Sequence, residues 1–251
     1  MSARRGIFLA PFDELAEAAL VAELAAAAEA RGWDGFFVWD HVLYHDPARA
    51  IADPWVTLAA VATATERVTI GALVTPLPRR RPHKVARETV TLDRLSGGRL
   101  VFGVGIGPTD TGEFDPDRFG EEGDPRKRAE LLDDGLEKLR GYWEGDFEPR
   151  PLQQPHMPVW VAGRWPRRRP LRRAARWQGL FPIDLPGPEA LAEYAAEIDA
   201  LRGSRDGYDL VVENPPGTDP APWVAAGATW CLTGLDAPAG ETDVRDAIDS
   251  L

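Results

Sequence analysis

The feature that most constrains this chain is the alternation of eight short apolar segments with eight helix-like segments. The apolar segments are rich in β-branched and aromatic residues, which is typical of buried parallel strands. A strand followed by a helix, repeated eight times in about 250 residues, is what a closed parallel barrel requires. The chain has 251 residues, so we predict an α/β fold in which residues 1–251 form one (β/α)8 TIM-barrel domain.

The boundaries of the predicted elements follow from turn and capping residues. Asp13 and Glu14 are predicted to open the first helix, and the pairs Asp53-Pro54, Asp124-Pro125 and Asp219-Pro220 to open later ones. Between the fourth strand and the helix at 124, residues 105–124 form a long loop, which favours a lid or binding role. The predicted strands are 5–10, 35–39, 68–74, 100–104, 158–162, 179–183, 208–213 and 229–232.

Composition limits the partners of the protein. The net charge of −11 argues against nucleic acid or an anionic membrane as a partner. The sequence has no apolar run long enough for a membrane span and no signal-peptide core at its start. The single cysteine, Cys231, excludes an intrachain disulfide and fits a reducing cytoplasm, with a small buried side chain in the last strand. We therefore expect a cytoplasmic protein with a small-molecule partner.

Positive charge is concentrated in two places despite the acidic total. The first is the run 79–81, and the second is the segment 164–176, which holds seven arginines. Such clusters on an acidic protein are consistent with a local anion site. They are equally consistent with solvated helix faces whose arginines pair with nearby carboxylates, and the sequence leaves both alternatives open.

In a parallel barrel the active site lies at the C-terminal ends of the strands. Asp40 and His41 follow the second predicted strand, where an aspartate beside a histidine can bind a heterocycle or exchange protons. The structural alternative is that Asp40 caps a turn and His41 fills a gap. After the fifth strand, Arg164 and Arg167 precede a helix whose N-terminus can hold a phosphate.

Glycines mark two further strand ends. Gly71, in the third strand, indicates a bulge or a close backbone approach to a ligand. The run 103–107 (GVGIG) lets the backbone approach a flat ring or a phosphate, although no helix follows it as a dinucleotide site requires. The four histidines show no spacing typical of a metal site.

Four segments together resemble the luciferase-like monooxygenase superfamily, whose members are flavin- or F420-dependent oxidoreductases. They cover well over half of the positions before residue 183, and their order along the chain makes the resemblance specific. The segments are 26–41 (ending in WDGFFVWDH), 53–75 (DPWVTLAAVATATERVTIGALVT), 87–107 (RETVTLDRLSGGRLVFGVGIG) and 158–182 (beginning PVWVAGRWPRRR).

The resemblance implies a TIM barrel that binds reduced FMN or F420 across its mouth and acts on a small organic substrate. Asp40 matches a residue that contacts the ring, and His41 matches an active-site histidine, so both are expected to be catalytic. Leu73–Val74 matches a non-prolyl cis peptide in a bulge behind the ring. The residues expected to bind the cofactor are Asp40, Leu73, Val74, Thr75, Ile106, Gly107, Ala162, Gly163, Arg164, Trp165 and Arg167.

One departure from the family concerns the position after Gly107. Sugar-phosphate dehydrogenases of the superfamily place a catalytic glutamate there, and this chain has Pro108. Sugar oxidation by that route is therefore not expected, and no substitute is favoured among Asp110, Glu113 and Asp115.

Two other functions remain open on the sequence. A non-catalytic relative that only binds a flavin or a partner is favoured by Pro108 and by the short chain. A flavin-free barrel enzyme would need a lysine or carboxylate at the mouth, and the three lysines all fall on predicted helices. Family members often dimerise through helices near the second and third strands, so a homodimer is possible.

Overall fold

The computed structural model describes residues 3–250, which form a parallel barrel surrounded by helices. Nine strands in this range are hydrogen-bonded in the order β3-β2-β1-β9-β8-β7-β6-β5-β4. The strands are β1 (Arg4–Leu9), β2 (Gly35–Val38), β3 (Thr69–Ala72), β4 (Thr75–Pro76), β5 (Phe102–Gly105), β6 (Val159–Arg164), β7 (Gly179–Ile183), β8 (Asp209–Asn214) and β9 (Trp230–Gly234).

The predicted third strand is divided into β3 and β4, which lie at the two ends of this order. The barrel therefore has eight walls, because β3 and β4 are two halves of one wall separated by Leu73 and Val74. It closes where Ile70 N–H donates to the Arg99 carbonyl at 3.0 Å and Val101 N–H donates to the Ile70 carbonyl at 2.9 Å. The predicted (β/α)8 TIM barrel is confirmed.

Gly71 lies beside this closure. A Cβ on residue 71 would come within 2.4 Å of the Val101 carbonyl oxygen, which is closer than real Cβ contacts allow. The glycine predicted to mark a bulge or a close approach therefore admits the neighbouring backbone and not a ligand.

We expect Gly71→Ala to lower the free energy of unfolding by about 1–3 kcal/mol, because the added methyl group must push two strands apart. Urea denaturation followed by circular dichroism measures this loss. Gly145→Ala is the matched control, since a Cβ at residue 145 has no neighbour within 4 Å. An equal loss in both variants would contradict the steric explanation.

The helices cover the outside of the barrel, and their starts follow local capping. Asp53 accepts hydrogen bonds from Trp55 N–H and Val56 N–H, both at 2.9 Å, as the Asp-Pro pair predicts. The helices are α1 (Ala18–Arg31), α2 (Pro54–Ala64), α3 (Pro82–Leu95), α4 (Pro116–Phe119), α5 (Pro125–Gly141), α6 (Arg169–Ala174), α7 (Pro188–Arg202), α8 (Ala221–Ala225) and α9 (Glu241–Asp249).

One predicted helix start is wrong, and the loop predicted at 105–124 contains a short helix. Asp13 does not open α1, because its carboxylate accepts N–H groups of Arg49 and Ala50 at 2.9 and 3.0 Å and so ties two loops together. Within the predicted loop, Asp115 caps α4 by accepting from the N–H of Asp117 at 2.8 Å. Asp115-Pro116 is the same Asp-Pro signal that predicts the other helix starts.

Most of the buried apolar residues form two separate layers. One packs the outer face of the strands against the helices, and the other fills the lower barrel with rings such as Phe37, Trp160 and Trp230. Cys231 is buried as expected, and burial raises the pKa of its thiol to about 11. None of the helices between residues 3 and 250 has the length and apolar character to cross a bilayer.

Candidate active site

The upper end of the barrel interior is a shallow floor of apolar side chains. Along each strand alternate side chains point inward, and the last inward positions are only partly buried. Trp39, Val74, Ala162 and Ile183 pack on the interior layer from four different walls. Because these side chains keep part of their surface exposed, the mouth is an open, mainly apolar surface and not a filled core.

The bulge between β3 and β4 supplies one side of this floor. The Leu73–Val74 peptide bond is cis and non-prolyl, so the linkage expected there is confirmed. Glycines of β5 leave the space that the bulge occupies: a Cβ on Gly103 would lie 2.4 Å from Leu73 Cδ2, and one on Gly105 would lie 3.1 Å from Val74 Cγ2. These glycines therefore admit the bulge, and Val74 is the part of it that reaches the mouth.

Asp40 is buried beside this floor, and both of its carboxylate oxygens are engaged. Arg79 donates to Oδ1 at 2.6 Å, and Arg80 donates to Oδ1 at 2.9 Å and Oδ2 at 2.8 Å. The Asp40 side chain has no exposed surface. Its carboxylate is thus held by two arginines within the protein, which the sequence did not indicate.

Glu113, from the loop after β5, links this ion pair to His41. Its Oε2 lies 3.1 Å from His41 Nδ1, and its Oε1 accepts from Arg79 at 3.1 Å. Val42 N–H also donates to Glu113. Burial alone raises the pKa of Glu113, but the hydrogen bond with His41, the charge of Arg79 and the Val42 N–H outweigh it and lower that pKa.

The ionised Glu113 determines which ring nitrogen of His41 faces it as a donor. A carboxylate can only accept, so Nδ1 of His41 donates to Glu113 and Nε2 is the ring nitrogen that this pair leaves free. The ring packs between aromatic neighbours, with ring centroids 5.7 Å from Trp39, 5.1 Å from Tyr44 and 6.0 Å from Phe12. His41 is therefore fixed in place by Glu113 and by its aromatic neighbours.

The loop after β5 is held from below by a buried arginine. Arg128 of α5 donates to the carbonyls of Ile106 and Pro108 at 3.2 and 2.7 Å and lies 4.1 Å over the Phe114 ring. Gly107 has φ = +82°, and a Cβ there would be 2.2 Å from that ring. The Ile106 side chain packs on the outer core, so these positions can offer the mouth mainly backbone.

The residues predicted to bind the cofactor at the end of β6 do not all face the mouth. Ala162 lies on the floor, whereas Gly163 is covered by Pro170. The Trp165 side chain packs outward on the Tyr194 ring, with ring centroids 4.9 Å apart. The backbone N–H of Trp165 donates to the Ile183 carbonyl. The structure therefore brings Ala162 to the floor and leaves the Trp165 side chain outside it.

The arginine-rich segment divides into paired and unpaired members. Arg164 pairs with Asp184 at 2.9 Å, and Arg168, Arg173 and Arg176 pair with carboxylates of α5 or α7. These four follow the alternative of a solvated, paired face. Within residues 3–250 no ion pair joins the remaining three, and all of them are exposed: Arg167, Arg169 and Arg172.

Two buried polar atoms near the floor have no hydrogen-bond partner among the described residues. They are Nε1 of Trp39 and Oγ1 of Thr75. Native proteins satisfy nearly all such atoms with protein, water or ligand. These two atoms therefore remain available to bond water or a ligand.

One carboxyl group in the mouth was missed by the sequence analysis. Glu213 of β8 is two residues above Val211, which points into the barrel, so it also points inward. The predicted strand 208–213 contained the signal, because a charged residue at the last inward position of a strand that is otherwise buried is unusual. The pattern alone did not show that the strand's inner face reaches the mouth there.

Comparison with known proteins relates this architecture to one family. The family model described as luciferase-like monooxygenase matches residues 6–225. An uncharacterised protein of Mycobacterium tuberculosis is 29% identical over 256 residues, which covers 85% of this chain and 86% of that protein.

Two further matches carry descriptions of an activity. The oxygenase component of a flavin-dependent trigonelline monooxygenase from Acinetobacter baylyi is 29% identical over 159 residues, covering 57% of this chain and 42% of that protein. The solved structure of an F420-dependent secondary alcohol dehydrogenase, bound to an F420-acetone adduct, superposes with a TM-score of 0.80 at 18% identity. It covers 100% of this chain and 98% of that one, and it supports the fold alone.

Proposed function

Because the chain belongs to the luciferase-like monooxygenase family, we propose that it is an oxidoreductase that uses reduced FMN or F420 on a small organic substrate. The observation that carries this proposal is the partly exposed apolar floor of the barrel mouth, formed by Trp39, Val74, Ala162 and Ile183. Such a floor offers a flat ring the apolar contact that ligand sites typically provide.

The residues present fit such a cofactor. The floor takes the ring, and the unpartnered Trp39 Nε1 and Thr75 Oγ1 add polar atoms beside it. We propose that the backbone of Ile106 and Gly107 lines the ring and that Ala162, Gly163, Arg164, Trp165 and Arg167 lie toward its phosphate. When bound, the reduced cofactor supplies a hydride or the electrons that activate oxygen.

The protein's own part is to position the substrate and to handle its proton. Glu113 holds His41 through Nδ1, and we propose that the other ring nitrogen, Nε2, exchanges a hydrogen bond or a proton with the substrate. Asp40 is fully engaged by Arg79 and Arg80, through its backbone carbonyl as well as its carboxylate, so we propose that it acts by fixing the wall beside the ring.

The three unpaired arginines bear on the choice of cofactor. F420 carries a phosphate and an oligoglutamate tail, whereas FMN ends in its phosphate. Arg167, Arg169 and Arg172 form an exposed cationic stretch just beyond β6, which favours a ligand with several negative charges. We therefore propose F420 as the better ligand of the two.

Titration of the purified chain with FMN, reduced FMN and F420, followed by fluorescence, tests both proposals. We expect micromolar binding of F420 that weakens several-fold in the triple variant Arg167→Gln, Arg169→Gln, Arg172→Gln and with added salt. Arg81→Gln, an exposed arginine elsewhere on the mouth side, is the matched control and should leave binding unchanged. Failure of all three cofactors to bind at micromolar concentration would reject the proposed function.

Turnover of the bound cofactor separates the enzyme from its non-catalytic alternative. Oxidation of reduced cofactor that depends on an organic substrate or on oxygen supports the enzyme, and binding without turnover supports a flavin-binding barrel.

We propose a second copy of the chain as protein partner, since Val56 of α2 is 66% exposed.

A further inference from the structure

Glu213 stands at the edge of the apolar floor on the wall formed by β8. It pairs in register with Leu232 of β9, which also lies in the barrel interior. Below it, Val211 is completely buried. The carboxyl group is therefore the first polar group above the packed interior on this wall.

The position of β8 in the barrel places Glu213 across from the bulge. Counting β3 and β4 as one wall, β8 is the seventh of eight walls and the bulge belongs to the third. Walls four places apart in a ring of eight are opposite each other. A molecule resting on Val74 and the rest of the floor would thus have Glu213 on the facing side of the mouth.

The carboxyl group is not used to stabilise the fold. No hydrogen bond or ion pair joins it to another side chain within residues 3–250, in contrast to Asp40 and Glu113. It lies across Gly234 of β9, where a Cβ would come within 2.4 Å of Glu213 Oε1. Because residue 234 has no Cβ, the carboxyl group of Glu213 has room on the inner side of the barrel.

The surroundings of Glu213 favour its protonated form. Its side chain is accessible from the open mouth, but the barrel walls exclude much of the water around it. This desolvation, together with the negative charges of Asp236 after β9 and Asp184 after β7, raises the pKa of Glu213 to about 7. Arg164 of β6 is engaged by Asp184 at 2.9 Å and does not reverse this effect.

We propose that Glu213 is a catalytic residue that exchanges a proton with the oxygen atom of a carbonyl or alcohol substrate bound in the mouth. The inference rests on the proposed oxidoreductase function and specifies the substrate class for it. A carboxyl group inside an active-site cleft, free of structural partners and close to its midpoint at neutral pH, can both donate and accept.

In the direction of reduction, the proposed reaction combines a hydride transfer to carbon with a proton transfer to oxygen. The carbonyl carbon of the substrate accepts a hydride from the reduced cofactor, and the electrons of the C=O π bond move to oxygen. That oxygen takes the proton of Glu213, leaving an alcohol, a carboxylate and an oxidised cofactor. In the opposite direction the carboxylate takes the hydroxyl proton while the substrate carbon loses a hydride.

The titration of Glu213 is measured first, on the protein without cofactor. Infrared spectra collected across a pH series should show a carboxyl C=O band that disappears near pH 7 and is absent in Glu213→Gln. In Asp236→Asn the same band should disappear at a lower pH, because a neighbouring negative charge has been removed. Asp206→Asn, at an exposed site away from the mouth, is the control and should not move it.

Kinetics with the bound cofactor then test catalysis. Glu213→Gln should keep cofactor affinity and lower kcat for carbonyl reduction by about 10²-fold or more. In the unmodified chain kcat should fall as pH rises through about 7, and Asp236→Asn should move that fall to lower pH. Unchanged kcat in Glu213→Gln, or no carboxyl band titrating near pH 7, would overturn the inference.

These outcomes are separate from those of the proposed function. If no cofactor binds, the proposed function fails while the infrared titration still reports on Glu213. If cofactor and turnover are found but the Glu213→Gln variant reacts normally, the oxidoreductase stands and the role of Glu213 is rejected.

Discussion

Replacing Arg79 with methionine should destabilise the protein by about 3–5 kcal/mol, the largest stability effect expected for a single side chain at the site. Its guanidinium contacts Asp40 at 2.6 Å and Glu113 at 3.1 Å, and it is only 6% exposed. Without it, Glu113 remains as a buried carboxylate with no arginine partner. Urea denaturation at neutral pH gives the change in the free energy of unfolding.

Arg81→Met is the matched control for this experiment. Arg81 is two positions away, is exposed, and makes no ion pair within residues 3–250, so its replacement should change stability by less than about 0.5 kcal/mol. If both variants lose the same small amount, the buried network does not contribute as the geometry indicates.

The loss in Arg79→Met should depend on pH in a defined direction. The pKa of Glu113 is below its usual value of 4.5, so ionisation of Glu113 stabilises the folded state at neutral pH. That contribution is present above pH 4.5 and is lost as the pH falls through the lower folded-state pKa. The difference between the two proteins should therefore shrink in acid.

Replacing His41 with alanine should lower kcat/KM by about 10²–10⁴-fold, the largest expected effect on activity. The variant removes the ring that we propose meets the substrate and leaves Glu113, Arg79 and Asp40 in contact with one another. Steady-state kinetics with whichever reduced cofactor binds would measure the loss, and cofactor affinity should change little.

His45→Ala controls for the loss of an aromatic ring from the same loop. His45 packs on Tyr44 with ring centroids 5.1 Å apart but is exposed and lies outside the Glu113 network. It should keep nearly full activity. Equal losses in the two variants would point to disruption of the loop and against a specific role of His41. Glu113→Gln should give an intermediate loss, because the ring stays but is no longer held by a carboxylate.

Several elements could be predicted because their cause is local. The strand at 179–183 has its predicted limits, and α2 and α5 begin at the Asp53-Pro54 and Asp124-Pro125 pairs predicted to open them. The cis peptide and bulge at Leu73–Val74 were also expected, from resemblance. Gly71 was correctly marked as a special position, but its neighbour is the Val101 carbonyl and not a ligand.

The partners of the clustered arginines could not be predicted from the sequence. The sequence left an anion site and a paired face equally open. In the segment 164–176 four arginines pair with carboxylates and three do not. At the other cluster, Arg79 and Arg80 point inward to Asp40, which neither alternative described.

The chain's own order of apolar and polar residues was enough to specify the barrel, because strand and helix periodicities depend on neighbours within a few positions. It also identified the strand ends that meet at the mouth. The partners of each charge came only from three-dimensional packing: Glu113 is 72 positions from His41 and was not favoured among three acids, and Glu213 was not recognised. Burial, pairing and proton affinity depend on groups brought together by barrel closure, and no local pattern carries that information.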